Sequence, residues 1–413
     1  MKKVLILTVG GSCEPLVNAI KARKPDYTIF VCSQTSSVVV NGPGEPCKPP
    51  SQKDAPKDHK WRSIVAQTSL NEDQYDIIEL SNPDTLDSCY QEIVKNVTEL
   101  LNKKFPGESL EIIANYTGGT KTMSVALALA ALNQENWDLE LNKGPRVDLV
   151  KVRAGDVPVL INKWEVFANH QLKLIENLWA KFYYAEAVEL AQEILTKPLS
   201  GEKQNFFQKI CTISEAFESW DRFEHQKAYE LLKPFARYFP NHIQVLANIV
   251  ENKGYSKVKD LLMNAKRRAT QKRFDDAVAR LYRAVEMMAQ IRLKEKYTLD
   301  TGNISLNSLP KTLQEKYKNF ADEKGKIQLG LARAYEVLDA LEDPLGYLFM
   351  KQQKAIQNAL KKRNYSILAH GENPVTENIY NEVQEILESF LNAGFEAVKD
   401  KTKMIQLPTN IQL

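Results

Sequence analysis

Arg363 and His370 are the two side chains whose types and spacing most clearly suggest chemistry. They are seven residues apart, which on an α-helix is two turns, so they share one face within about 20°. That face also carries Ile356, Leu360 and Ile367. A guanidinium and an imidazole therefore lie in an apolar stripe that should be buried. Because an unpaired charge there is costly, each group is expected to have a partner or to line a cleft.

This pair of groups is suited to acid–base chemistry on a phosphodiester. Gly371 and Pro374 predict that the helix ends just past His370, where the helix dipole favours a protonated imidazole. Seven residues rise about 10 Å, which is too far for one helix to hold a single phosphate with both groups. A two-fold dimer would bring two arginines and two histidines into one cleft.

RNA suits such a cleft because its 2′-hydroxyl is an internal nucleophile. Histidine can move protons to and from the 2′ and 5′ oxygens, and arginine can stabilise charge on the phosphate. The structural alternative is that His370 caps the helix and Arg363 forms an ion pair.

Two glycine turns, each between a predicted strand and a predicted helix, are candidates for anion binding. Their residues are Gly10, Gly11 and Ser12 in the first turn, and Thr117, Gly118, Gly119, Thr120 and Lys121 in the second. Adjacent glycines let the backbone approach a ligand, and the free N–H groups of the following helix attract phosphate. Neither turn matches a P-loop or G-x-G-x-x-G. A phosphate pocket is predicted, with a ligand-free tight turn as the alternative.

Short apolar runs alternate with helical patterns over the first 160 residues. The predicted strands are 3–8, 27–32, 75–80, 110–116, 137–141 and 147–152, and the predicted helices are 15–23, 88–103 and 120–133. This alternation predicts a Rossmann-like α/β domain with a mainly parallel sheet, in which ligands bind at the carboxyl ends of the strands. The proline-rich segment 41–63 predicts a solvated loop or, alternatively, a lid over the ligand.

From about residue 165 the pattern is helical almost to the end. Helices are predicted at 170–195, 205–217, 226–238, 256–297, 327–341, 350–370 and 378–398. We therefore expect a Rossmann-like domain over 1–160, a helical connector over 165–255 and a second, all-α domain over 256–413. A basic stretch is interpreted as a solvated helix face or, alternatively, as a path for RNA phosphates; it contains Lys266, Arg267, Arg268, Lys272 and Arg273.

The composition is that of an ordinary globular protein, with 43% hydrophobic and 26% charged residues. A net charge of +3 permits nucleic-acid binding through a local patch without requiring it. No apolar run is long enough to span a membrane. The scattered cysteines predict reduced thiols in a cytoplasmic protein; they are Cys13, Cys32, Cys47, Cys89 and Cys211. No spacing suits a metal site, so chemistry without metal or cofactor is expected.

Taken together, these features resemble the CARF–HEPN ribonucleases that accompany type III CRISPR systems. The resemblance depends on the two glycine turns in a Rossmann-like (CARF) domain, and on Arg363-Asn364 followed by His370 in a helical (HEPN) domain. It extends over nearly the whole chain and is weakest over 165–255.

The resemblance implies a homodimer that binds a cyclic oligoadenylate messenger across its paired N-terminal domains. Binding would activate a paired HEPN site that cuts single-stranded RNA without metal, leaving a 2′,3′-cyclic phosphate, in antiviral defence. It assigns catalysis to Arg363 and His370, with Asn364 in support, and the messenger pocket to the two glycine turns. Some members slowly cleave their messenger, for which Ser12 and Lys121, with Thr120, are the candidates here. No membrane or further protein partner is implied.

Other functions also fit the N-terminal domain. A ligand-sensing transcription regulator needs a DNA-binding helix-turn-helix after the sensor, whereas the chain continues as a long helical tract. A nucleotide-binding scaffold would share the sensor and lack nuclease activity. A nicotinamide-dependent oxidoreductase is disfavoured because the dinucleotide fingerprint is missing.

Overall fold

The structure is a computed structural model that describes residues 1–42, 47, 62–144, 146–147, 151–152, 156–364 and 372–413. The chain forms two compact units, Met1–Asn169 and His170–Leu413. The finer division that the sequence suggests at about residues 160 and 255 stays a prediction.

The first unit alternates strands and helices. Its strands are β1 (Lys2–Thr8), β2 (Tyr27–Ser33), β3 (Tyr75–Leu80), β4 (Leu110–Asn115), β5 (Trp137–Lys143), β6 (Arg146–Val147), β7 (Lys151–Val152) and β8 (Val157–Ile161). Its helices are α1 (Glu14–Arg23), α2 (Gln34–Asn41), α3 (Ile64–Thr68), α4 (Leu86–Lys104) and α5 (Lys121–Asn133), and α6 (Lys163–Trp179) begins near the end of the unit.

Six strands form one sheet in the order β3-β2-β1-β4-β5-β8. Neighbours from β3 to β5 are parallel, and β8 runs antiparallel to β5. The central run Val4–Leu7 is fully buried because α4 and α5 pack on one face of the sheet and α1 packs on the other. A strand buried on both faces is apolar at consecutive positions, and this explains the short apolar runs in the sequence. The predicted parallel sheet with helices on both faces is confirmed.

Several elements of this unit, α3 among them, differ from the sequence prediction. The predicted strand 147–152 is wrong, because β6 and β7 are separate two-residue strands that pair with each other. The pattern misses β8, an edge strand that contains Pro158 and exposes Val157 and Leu160. It also misses α2, which Ser33 starts through a capping box with Ser36. Within the proline-rich segment, residues 43–46 and 48–61 lie outside the described residues.

Cys13 and Cys47 form a disulfide with 5.8 Å between their Cα atoms. The prediction that all five cysteines are reduced thiols is therefore wrong for this pair. Spacing could not show the pairing, because only the fold brings together two cysteines 34 residues apart. Cys32, Cys89 and Cys211 are free and buried, and burial raises the pKa of Cys32 to about 12.

The described part of the second unit consists of helices and one small two-stranded sheet. Its helices after α6 are α7 (Tyr184–Leu195), α8 (Gly201–Asp221), α9 (His225–Leu232), α10 (Pro240–Val250), α11 (Ser256–Thr270), α12 (Phe274–Tyr297), α13 (Lys311–Tyr317), α14 (Leu331–Ala340), α15 (Pro344–Asn364) and α16 (Glu377–Ala397). The small sheet pairs β9 (Ile304–Ser305) with β10 (Lys326–Ile327). Among the described residues, no helix combines the length and the apolar character needed to cross a membrane.

Two long predicted helices, 170–195 and 256–297, are each divided by a tight turn. The breaks fall at Phe182 and Lys272, whose φ angles are +60° and +59°. Helical periodicity continues across both breaks, so the sequence pattern alone does not reveal them.

Two arginines of the basic stretch lie in α11 and are buried in the core of the second unit. Arg267 is fully buried, with its Nε donating to Asp221 Oδ1 at 2.7 Å and its Nη1 donating to Gln406 Oε1 at 2.8 Å. Arg268 is also buried and pairs with Asp221. The interpretation of this stretch as a solvated face, or as a path for RNA, is therefore wrong for these two arginines. They join α8, α11 and the C-terminal segment instead, since a buried guanidinium needs such partners.

Candidate functional site

The two glycine turns follow β1 and β4, which are neighbours at the centre of the sheet. On one side of this pair the chain order runs β1, β2, β3, and on the other it runs β4, β5. The point where the strand order reverses is the usual ligand crevice of an open α/β sheet, at the carboxyl ends of the strands. The structure therefore brings the two predicted turns together at one edge of the sheet.

The turns touch through their backbones, and glycine is what permits this contact. A Cβ on Gly118 would overlap the carbonyl oxygen of Thr8, and one on Gly10 would lie 2.9 Å from the Gly119 nitrogen. Gly119 also has a φ of +83°, a conformation that disfavours side chains. The buried Thr8 hydroxyl donates to the Gly118 carbonyl at 2.7 Å and joins the first turn to the second. No Cβ-bearing residue could replace Gly118 without moving β1 and the second turn apart.

The second turn leads directly into α5. Thr120 caps the helix, since its hydroxyl accepts from the Met123 N–H at 3.2 Å and donates to the Pro83 carbonyl at 3.1 Å. Its hydroxyl therefore has a structural role as the helix cap, and its predicted contact with a ligand stays a prediction. Lys121, in the first helical position, and Ser12 of the first turn are both exposed. These two side chains and the N-terminal N–H groups of α5 are exposed donors at the candidate pocket.

A buried hydrogen-bond network lies under the second turn. Asn115, the last residue of β4, is fully buried, and its Nδ2 donates to Glu140 Oε1 and to Asn142 Oδ1, both at 2.8 Å. Its Oδ1 accepts from the Thr117 N–H at 3.1 Å, and the Thr117 hydroxyl accepts from the Asn142 N–H at 2.8 Å. The Thr117 hydroxyl thus takes part in this internal network, and its predicted place in the pocket stays a prediction.

The same network extends to α1 and to the residue before β8. Glu140 is fully buried and accepts from Arg23 Nε at 2.5 Å, so its charge is paired. Asn142 Nδ2 donates to Asp156 Oδ2 at 2.5 Å, and Asn18 of α1 also donates to Asp156. None of these residues was predicted from the sequence. The available signal was the alternation of Glu140 and Asn142 with leucines in β5, since polar side chains in a buried strand require partners.

The predicted catalytic pair begins in the last turn of α15, where the described helix ends. Ile356 is fully buried and Leu360 packs partly on the same core, so the predicted apolar stripe is present as far as Leu360. Arg363 and Asn364 are the last residues of the described helix. Their side chains, and the whole of His370, lie outside the described residues, so the roles of all three stay predictions.

The other end of α15 is fixed by Asp343, which is fully buried. Its carboxylate accepts from Arg292 Nε at 2.8 Å, from the Tyr297 hydroxyl at 2.9 Å and from the Leu345 N–H at 3.0 Å. Burial opposes ionisation, but these hydrogen bonds outweigh it and hold the pKa of Asp343 below its ordinary value. The carboxylate therefore ties the start of α15 to α12.

Within the part of the chain that the structure describes, no three His, Cys, Asp or Glu side chains are grouped so that they could hold a metal ion. His370 is not among the residues to which this statement applies.

Comparison with protein families identifies both parts of the second unit. A model described as the Csm6 6H domain matches residues 167–268, and one described as the Csm6 HEPN domain matches residues 247–394. Together they span more than half of the chain. The chain belongs to the Csm6 family of CARF–HEPN proteins. The CRISPR-associated family suggested by the sequence resemblance is therefore confirmed.

A solved Csm6 has the same fold over nearly the whole length. The Csm6 of Enterococcus italicus, bound to cyclic hexa-2′-fluoro-hexa-dAMP, has a TM-score of 0.60 at 13% identity and covers 97% of this chain and 96% of its own. At this identity the likeness shows the fold alone. No curated protein sequence matches significantly.

Two further solved structures are more distant. VC1899 from Vibrio cholerae has a TM-score of 0.25 at 11% identity, covering 52% of this chain and 59% of its own. Can2 from Sulfobacillus thermosulfidooxidans, in complex with cyclic tetra-adenylate, has a TM-score of 0.22 at 13% identity. It covers 57% of this chain and 69% of its own. Similarities this low support no argument about this chain.

Gly118→Ala is expected to destabilise this Csm6-family protein, because the added methyl would force the second turn away from Thr8. Overpacking of this kind costs about 1–3 kcal/mol of unfolding free energy. Gly11→Ala is the matched control: nothing lies within 4 Å of its Cβ position, and we expect a change of at most about 1 kcal/mol. Urea unfolding of both variants measures the difference. Equal stability of the two variants would contradict the close contact.

Proposed function

We propose that this protein is an endoribonuclease that cleaves single-stranded RNA when a cyclic oligoadenylate binds its N-terminal unit, as part of type III CRISPR antiviral defence. The Csm6 HEPN domain implies a ribonuclease. The observation that carries the proposed activation is the meeting of two glycine turns at the strand-order reversal of the sheet. A Csm6 of the same fold is bound to a cyclic adenylate analogue, which supports this class of ligand.

The messenger would bind through its phosphates. The exposed Lys121 ammonium and the first N–H groups of α5 carry positive charge at the same place, which suits a phosphodiester. On the other side of the candidate pocket, Gly10 and Gly11 of the first turn have no side chains that could block the ligand. A ring of identical nucleotides is symmetric, and a two-fold homodimer would present two copies of the pocket to it. We therefore propose a homodimer, with a mass in solution near twice the 47.0 kDa of one chain.

RNA would be cleaved by Arg363 and His370 from both subunits. One histidine takes the proton of the 2′-hydroxyl as its oxygen bonds to phosphorus, and the second protonates the departing 5′ oxygen. The products are a 2′,3′-cyclic phosphate and a 5′-hydroxyl, with no metal or cofactor required. Arg363 would stabilise the charge on the pentacoordinate phosphate, and Asn364 would support it.

Purified protein is expected to cut single-stranded RNA in EDTA only when a cyclic oligoadenylate is present. Rings of four and six adenylates are tested separately, and gel electrophoresis with end analysis identifies 2′,3′-cyclic phosphate products. His370→Ala should lower the cleavage rate by about 10²–10⁴-fold, the usual contribution of an acid–base group.

Lys362→Ala is the matched control, since it removes a neighbouring charge that pairs with Glu382 on the surface. It should cleave like the wild type. RNA left intact despite measured ring binding would contradict the nuclease and favour a nucleotide-binding scaffold. Full activity in His370→Ala would remove this histidine from the mechanism.

Lys121→Ala is expected to weaken ring binding by about 10- to 100-fold, because a charge-assisted hydrogen bond contributes about 1.5–3 kcal/mol. Isothermal titration measures the affinity. Lys103→Ala is the matched control, an exposed lysine in the last turn of α4, near the start of β4 and away from the turns. If both variants bind the ring like the wild type, the pocket lies elsewhere.

A further inference from the structure

Lys163 is a lysine enclosed by backbone carbonyls. It is 2% exposed although it carries a charge, and it is the first residue of α6. Its Nζ donates to the carbonyl oxygens of Trp137 at 2.6 Å and Ala131 at 2.9 Å, and to that of Gln134; the Glu135 carbonyl lies 3.3 Å away. An ammonium has only three hydrogens, so this group is fully engaged.

These carbonyls belong to the C-terminal end of α5 and to the start of β5. Ala131 is in the last turn of α5, Gln134 follows the helix, and Trp137 begins β5. The C-terminal end of a helix carries partial negative charge, which a buried ammonium stabilises. Removing that ammonium would take a charged, buried donor away from the Ala131 and Trp137 carbonyls. The contact therefore holds the end of α5 and the start of α6 together.

The other end of α5 is the candidate messenger pocket. The helix is capped by Thr120 and begins at Lys121, and its 13 residues span about 20 Å. One of its faces is packed with small and apolar side chains, which are Met123, Ala126, Leu127, Ala130 and Ala131. Because the helix is continuous over its whole length and packs on the sheet, a shift at Lys121 on ring binding would be carried to Ala131.

α6 continues beyond the first unit. It runs from Lys163 to Trp179, whereas the first unit ends at Asn169, and the match to the Csm6 6H domain begins at residue 167. A displacement of the first turn of α6 is thus a displacement of the helix that leaves the sensor.

We propose that Lys163 is the positioning residue that passes messenger binding from α5 to α6. This inference rests on the proposed function and adds the route by which the ring at one end of α5 affects the nuclease. Lys163 itself touches neither the ring nor the RNA. It makes the end of the sensor helix and the beginning of the outgoing helix move as one piece.

Lys163→Met keeps the length of the side chain and removes its hydrogen bonds. The variant is expected to bind the ring within about threefold of the wild-type affinity, to keep its cleavage rate without ring, and to lose at least tenfold of the ring-stimulated rate. Lys173→Met, an exposed lysine on the same α6, is the matched control and should behave as wild type. A merely structural role would lower ring affinity along with activation. Wild-type activation in Lys163→Met would overturn the proposal, as would a parallel loss of ring binding and activity.

Hydrogen exchange of the wild-type protein provides a second measurement that needs no variant. Adding cyclic tetra- or hexa-adenylate should change amide exchange both at the start of α5 and in residues 163–169. Binding and cleavage with no change in residues 163–169 would overturn the role of Lys163 and leave the proposed function intact. Failure of every ring to bind would contradict the proposed function itself.

Discussion

The candidate site depends on the backbone contact between the end of β1 and the turn after β4. Two adjacent parallel strands lie about 5 Å apart, and here the turn after β4 lies against the end of β1 with its backbone in contact. Gly118 lies against the Thr8 carbonyl and Gly10 against Gly119, and the Thr8 hydroxyl fixes the distance. The contact leaves the N-terminal end of α5 facing the same edge as the first turn, which makes this edge suitable for an anion.

A buried hydrogen-bond network under the second turn holds this edge of the sheet in place. Asn115 and Asn142 fix the backbone of the second turn, and the buried Glu140 is paired with Arg23 of α1. Removing one partner from such a pair would leave an uncompensated charge, so the network makes one arrangement of turn, α1 and β5 strongly preferred. The polar residues under the second turn therefore fix the shape of the candidate pocket.

Much of the fold follows from local patterns in the sequence. Strands such as Tyr75–Leu80 and helices such as Lys121–Asn133 were predicted because buried parallel strands and amphipathic or capped helices have distinct patterns. The edge strand Val157–Ile161 and the burial of Arg267 were not predicted. Both depend on partners that are distant in sequence. The same reason applies to the site: the glycine turns were predicted, whereas the internal use of the Thr117 and Thr120 hydroxyls was not.

The central claim is that the messenger lies on the two touching glycine turns. The most direct test is photo-crosslinking with a cyclic oligoadenylate that carries 8-azidoadenosine, followed by mass spectrometry of the modified peptides. The account predicts adducts in the peptides that contain residues 9–12 and 116–121, suppressed by excess unmodified ring. Adducts confined to residues 170–413, with none in either turn, would contradict it.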